Sequence, residues 1–160
     1  MRFRRTSRKL LGFIVSGSGI EANPAKIRAL SQLDIRKDLK QIQKLTGCVA
    51  ALSRFISRLG EKALPLYRLL RRTEHFEWTD AATAGLEEIK AILATNPVLA
   101  APNLGEPMLL YIAATHQVVS AVLVVERETE GHKFPLQKPV YYVSTVLTPC
   151  KSRYPHYQKI

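Results

Sequence analysis

Lys40, Gln43, Lys44, Gly47, Ala51, Arg54 and Arg58 fall in one stripe when the chain is advanced about 100° per residue as a helix. Their chemistry is that of contact with a polyanion. The cations can neutralise phosphates, Gln43 can donate and accept hydrogen bonds, and Gly47 and Ala51 leave the middle of the stripe without bulk. A smooth, basic track of this kind suits close approach to a nucleic-acid backbone or groove. A solvated helix face carrying a stray glycine accounts for the same pattern.

The other side of the same run holds Ile42, Leu45, Cys48, Val49, Leu52, Phe55, Ile56 and Leu59. An apolar stripe opposite a polar one predicts a single long helix over residues 39–59 with one face in a core. Gly60 is placed to stop it in a left-handed conformation.

Other reactive side chains are scattered. Glu126, Glu128 and Glu130 alternate along a strand end, where a solvated hairpin edge explains them better than a cation site. Glu87 and Glu88 belong to the polar face of a helix. His75, His116, His132 and His156 have no partner at metal-ligand spacing, and no Ser-His-Asp or Cys-His arrangement can be assembled. Tyr141, Tyr142, Tyr154 and Tyr157 could stack on bases, although packing in a sheet core is the expectation. Cys48 and Cys150 are too few and too far apart for a disulfide scaffold, so free thiols are expected, with Cys48 in the core.

The elements around the track follow from local signals. Residues 10–20 read as two short strands about Ser16-Gly17-Ser18-Gly19. Asn23 caps a short helix whose first residue is Pro24. Pro65 starts another short helix through Leu70, and Thr79 caps one that runs to about Ala94, ended by Asn96-Pro97. From Met108 the texture turns β-branched and apolar. Residues 108–115, 121–127 and 140–145 predict three strands, the last two joined through Glu130-Gly131-His132-Lys133. Tyr154-Pro155-His156-Tyr157 opens a further helix.

Charge divides the chain in two. Of a net +11, residues 1–80 hold 17 Lys and Arg against 7 Asp and Glu, whereas residues 81–160 hold 7 against 6. A basic half joined to a near-neutral half points the first half at a polyanion. No apolar run approaches the roughly 18 residues of a membrane span, so no membrane partner is expected.

Taken in order, several short motifs resemble gypsy-like long-terminal-repeat retrotransposon reverse transcriptases. Leu11-Gly12-Phe13-Ile14-Val15-Ser16 with Gly19-Ile20 resembles the hairpin that closes the palm, and Asn23-Pro24-Ala25-Lys26-Ile27 the start of the first thumb helix. Ile42-Gln43-Lys44-Leu45-Thr46-Gly47 followed by Ser53-Arg54-Phe55-Ile56 resembles the thumb helix that tracks the minor groove of template–primer duplex. Leu64-Pro65-Leu66-Tyr67-Arg68-Leu69-Leu70, Phe76-Glu77-Trp78-Thr79 and Asn96-Pro97-Val98-Leu99-Ala100 resemble the connector. Residues 109–123 and Pro139-Val140-Tyr141-Tyr142-Val143-Ser144 resemble the first strands of the RNase-H-like domain. At Ala51 the chain departs from the lentiviral pattern, where an aromatic residue often stands.

The resemblance implies an α+β fold: a helical thumb and connector followed by the first three strands of a truncated RNase-H-like mixed sheet. The implied divisions are the end of the palm in 1–22, thumb-like helices in 23–72, a connector helix in 73–104 and the RNase-H-like part in 105–160. The implied nucleic-acid-binding residues are Lys40, Gln43, Lys44, Gly47, Arg54 and Arg58, and the partner is an RNA–DNA hybrid or duplex. The remaining partners would be the polymerase and the downstream RNase H and integrase parts of the same polyprotein. The basic segment 1–10 resembles a presequence in composition, but the palm hairpin begins at Leu11. An internal start within a longer polyprotein is therefore the more economical reading, with an intracellular, cytoplasmic or nuclear location.

Catalysis in the family needs carboxylates that hold paired Mg²⁺ ions. The first stands in a Thr-Asp-Ala-Ser pattern that here reads Ile112-Ala113-Ala114-Thr115, and the second in a Glu-Lys-Glu pattern that here reads Gln158-Lys159-Ile160. Ala113 and Ile160 thus occupy metal-ligand positions. The expectation is a chain without catalytic residues or a bound metal, Mg²⁺ belonging only to the intact parent enzyme, and with a template–primer holding and tethering role. The competing reading is enzymatic: a chain classed through its family as an RNA-directed DNA polymerase and RNA–DNA hybrid ribonuclease.

Overall fold

The computed structural model describes residues 8–10, 12–17, 19–32, 39–71 and 77–159. The segment 1–7, Leu11 and Ser18 of the expected hairpin, His75, Phe76 of the expected connector and Ile160, expected at a ligand position, lie outside them.

The chain opens with three strands, β1 (Arg8–Leu10), β2 (Phe13–Ser16) and β3 (Gly19–Ala22), paired antiparallel in that order. The expected Gly/Ser hairpin is the β2–β3 turn. A later two-residue strand, β4 (Val98–Leu99), adds to β3 and completes a four-stranded sheet. Neither β1 nor β4 stands out in the sequence, because short edge strands depend on pairing partners rather than on their own pattern.

Between β3 and β4 lies a helical block: α1 (Pro24–Ser31), α2 (Leu39–Ala51), α3 (Leu59–Lys62), α4 (Leu64–Arg71) and α5 (Asp80–Ala94). Two caps read from the sequence are formed. Asn23 Oδ1 accepts the N–H of Ala25 at 2.9 Å, and Thr79 Oγ1 accepts that of Ala82 at 3.2 Å. The Asn23 cap satisfies a donor that the first helical turn leaves without a partner, whereas the Ala82 N–H is shared between the Thr79 hydroxyl and the Thr79 carbonyl at 3.0 Å. Ile42, Leu45, Val49, Leu52, Leu66, Ile89 and Leu93 are all fully buried in one core. Gly85 lets α5 approach α3, since a Cβ there would stand 2.2 Å from the Lys62 carbonyl oxygen.

The single helix expected over 39–59 is instead broken. α2 ends at Ala51, residues Ser53–Phe55 form one 3-10 turn, and Ile56 is extended. The left-handed residue is Arg58, at φ 52°, and Gly60 sits inside α3. The predicted apolar residues from Ile42 to Leu59 are nonetheless buried, save for half-buried Cys48. Burial is preserved while the helix is not: beyond the break Phe55 packs against Phe13, with ring centroids 5.8 Å apart. Tertiary packing overrides local propensity here.

A second sheet follows. β5 (Met108–Ala114), β6 (Val118–Arg127) and β7 (Leu136–Val146) pair antiparallel in that order, with a bulge at Leu123/Val124. The α+β class holds, and all three strands predicted from the sequence are present. A short helix α6 (Pro149–Ser152) and a 3-10 turn (His156–Gln158) lie after β7. No helix among the described residues is long and apolar enough to cross a membrane.

One close contact between this sheet and the helices is at Gly60. The N–H of Gly60 donates to Ser144 Oγ at 2.8 Å, and Ser144 and Ser120 share a 2.7 Å hydroxyl contact. A Cβ at Gly60 would meet Val118 Cγ1 at 2.6 Å and Ser144 Oγ at 2.7 Å, so only glycine fits. Gly60 therefore serves close packing rather than a helix stop.

Candidate nucleic-acid interface

Helix geometry and exposure divide the predicted basic stripe. Lys40, Gln43, Lys44, Gly47 and Ala51 lie on α2 and are exposed. At Gly47 an added Cβ would have nothing within 4 Å, so the centre of this face is open and flat. Inward, Thr46 satisfies its hydroxyl within the helix by donating to the Ile42 carbonyl at 2.9 Å. The rigid backbone under the track comes from Ile42, Leu45 and Val49, which fix the opposite side of α2 in the core.

Arg54 and Arg58 fall beyond the break and leave the α2 stripe. Arg58 is exposed and paired with Glu61, whose hydrogen bond and charge raise the arginine pKa further above its usual value. Arg54 is half-buried, with its guanidinium carbon 4.4 Å from the centre of the Phe13 ring and 5.8 Å from that of Tyr141. These contacts join β2 and β7 to the 3-10 turn.

The tyrosines divide as well. Tyr142 turns inward to the helical core, where burial raises its pKa, whereas Tyr141, Tyr154 and Tyr157 are exposed. A side-by-side pair on one strand must point to opposite faces, and only one face meets the helices. Sequence reasoning had no means of choosing between them.

Ala113, expected from the resemblance to stand at a metal-ligand position, lies on edge strand β5, opposite Ser120, which in turn pairs with Ser144. Its methyl group is exposed. The donor set around it is a pair of hydroxyls rather than carboxylates, and among the described residues no three His, Cys, Asp or Glu side chains gather as a metal site. These residues do not fit the Mg²⁺ pair that the family's chemistry uses.

A cleft of about 680 Å³ lies between α3, α4 and the end of β7, with Tyr67, Arg68, Gln117, Ser144 and Ser152 among its walls. Arg68 spans it to Gln117 Oε1 at 2.9 Å, and burial raises the Tyr67 pKa.

Residues 78–160 match the model of the RNase H-like domain found in reverse transcriptase. The chain belongs to that family. Its RNase H-like portion includes α5 and the whole second sheet. Over 145 residues the chain is 30% identical to the Gag-Pol polyprotein of Koala retrovirus, covering 91% of this chain and 8% of that polyprotein. It is 26% identical over 168 residues to the retrovirus-related Pol polyprotein from transposon opus of Drosophila melanogaster, covering 98% and 16% respectively. The RNase H-like chain thus spans a small part of these relatives. Among solved structures, the foamy viral protease-reverse transcriptase in complex with RNA/DNA hybrid superposes with a TM-score of 0.75 at 22% identity. That match covers 96% of this chain and 20% of the other. A likeness at that identity establishes the fold, including the helical block ahead of the RNase H-like portion.

Proposed function

We propose that this chain holds a template–primer duplex or RNA–DNA hybrid through the exposed face of α2, and that its RNase-H-like part is a non-catalytic tether. The observation that carries the holding role is the open surface at Gly47, flanked by exposed Gln43 and Lys44 and backed by a fully buried apolar face. A flat centre lets a duplex backbone come close, and lysines on the rim neutralise phosphates without reading bases. Support comes also from the fold shared with a foamy viral reverse transcriptase whose structure contains an RNA/DNA hybrid.

In this reading residues 23–72 act as the thumb-like unit, 73–104 as the connector and 105–160 as the tether, with residues 1–22 completing a palm hairpin. Lys40, Gln43, Lys44 and Gly47 form the track, while Arg54 and Arg58 add contacts beyond the break. The partners are the nucleic acid and the remaining parts of a reverse transcriptase polyprotein. The tether is non-catalytic because alanine offers no oxygen at position 113 and Ile160 offers none at the second ligand position.

The test is to incubate the full chain with an RNA–DNA hybrid and Mg²⁺ or Mn²⁺. Binding without cleavage above a chelator control is expected, and Ala113→Asp alone should not restore cleavage. Metal-dependent cutting by the unaltered chain would overturn the tether, whereas absence of binding at low salt would overturn the holding role.

A further inference from the structure

Phe13 carries two cations from different elements. Arg54 places its guanidinium carbon 4.4 Å from the ring centre, and Lys26 of α1 places its Nζ 5.4 Å from it. Lys26 Nζ passes close to Gly12, where an added Cβ would stand 2.8 Å from it. Three stretches of chain, β2, α1 and the 3-10 turn, thus converge two positive charges on one ring, no further apart than the sum of those two distances. Among the described residues neither side chain has a carboxylate partner. The Arg54 guanidinium carbon also lies 5.8 Å from the centre of the Tyr141 ring, and a guanidinium beside aromatic rings still carries N–H donors for an anion. Tyr141 itself is 46% exposed on the sheet face opposite to that of Ser144. Two cations held on one ring without a carboxylate partner, beside an exposed aromatic ring, form an arrangement suited to a phosphate and the base attached to it.

We propose that Lys26 and Arg54 clasp a phosphate of a single-stranded nucleic-acid extension, and that an adjoining base stacks on Tyr141. The inference rests on the holding role assigned to α2 and extends it: the duplex lies on the α2 track, and an unpaired strand leaving it is caught at the Phe13 clasp. The chemistry favours a single strand because a base in a duplex has its faces already occupied by neighbours, whereas an unpaired base is free to meet a ring.

Fluorescence anisotropy with the full chain provides the test. The probes are a labelled blunt DNA duplex and the same duplex bearing a short oligothymidine extension, compared at equal salt. A stacked base is worth enough to make the extended probe bind about tenfold more tightly. Tyr141→Leu, a change at a half-exposed ring, and Lys26→Met should each bring the ratio of the two affinities towards one, and their thermal midpoints report whether they fold. Equal binding of the two probes by the unaltered chain overturns the clasp while leaving the α2 track intact. A ratio that survives in folded Tyr141→Leu also overturns it. Loss of binding to both probes by the unaltered chain defeats the holding role itself, and the clasp with it.

Discussion

Ser144 on β7 accepts the backbone N–H of Gly60 at 2.8 Å while sharing its hydroxyl with Ser120 at 2.7 Å. One side chain therefore joins the helical block to the second sheet at a point where no side chain other than hydrogen fits on the helix. Gly60→Ala should destabilise the chain by about 1–3 kcal/mol through overpacking against Val118 and Ser144. Ser144→Ala should cost a similar amount, about 1–3 kcal/mol, because it strands a buried N–H. Denaturant midpoints measure both, and a Gly60→Ala midpoint equal to the unaltered one contradicts the contact.

That contact also shows where sequence reasoning stops. The two caps at Asn23 and Thr79, the three strands of the second sheet and the buried set from Ile42 to Leu59 follow from local chemistry and periodicity, which act within a few residues. The helix break after Ala51 does not, because the residues beyond it pack against partners distant in the chain, Phe55 lying 5.8 Å from Phe13 by ring centroids. Gly60 carries the same lesson. A glycine after an apolar run is compatible with a helix stop or with close approach, and only the position of Val118 decides between them. Of the candidate interface, the α2 track could be read from spacing alone. The placement of Arg54 between two rings could not, since β2 and β7 supply those rings from opposite ends of the chain.

β5 is an edge strand with Met108, Leu109, Leu110, Tyr111 and Ile112 all exposed, whereas β6 is paired on both sides. An unpaired edge opens more readily than a central strand. Amide hydrogen exchange should therefore be faster through β5 than through β6 and through the buried face of α2. Protection in β5 equal to that in β6 would show that this edge is covered in solution.

Glu106 and Arg127 fasten the stretch before β5 to the end of β6. Arg127 donates to both Glu106 carboxylate oxygens at 2.7 Å and to the Ala101 carbonyl at 2.7 Å. The hydrogen bonds from Arg127, then that from the Asn103 N–H, lower the Glu106 pKa from 4.5 to about 2. A lowered carboxylate pKa stabilises the folded form fully above its ordinary value, and that contribution fades as the pH falls from 4.5 through about 2. A carboxylate titration followed by NMR should show Glu106 still ionised at pH 3, and Arg127→Met should return its midpoint towards the ordinary value. A Glu106 midpoint already near 4.5 in the unaltered chain contradicts the clasp.

The central claim, that the exposed face of α2 holds nucleic acid by phosphate contact, is tested most directly by the salt dependence of duplex binding. Each lysine that neutralises a phosphate contributes about 0.9 to the steepness of a log–log plot of affinity against salt. Lys40→Ala with Lys44→Ala should therefore weaken binding to all duplex sequences alike and flatten the slope by about 1.8. An unchanged slope and affinity in that double variant would mean that α2 presents only a solvated face.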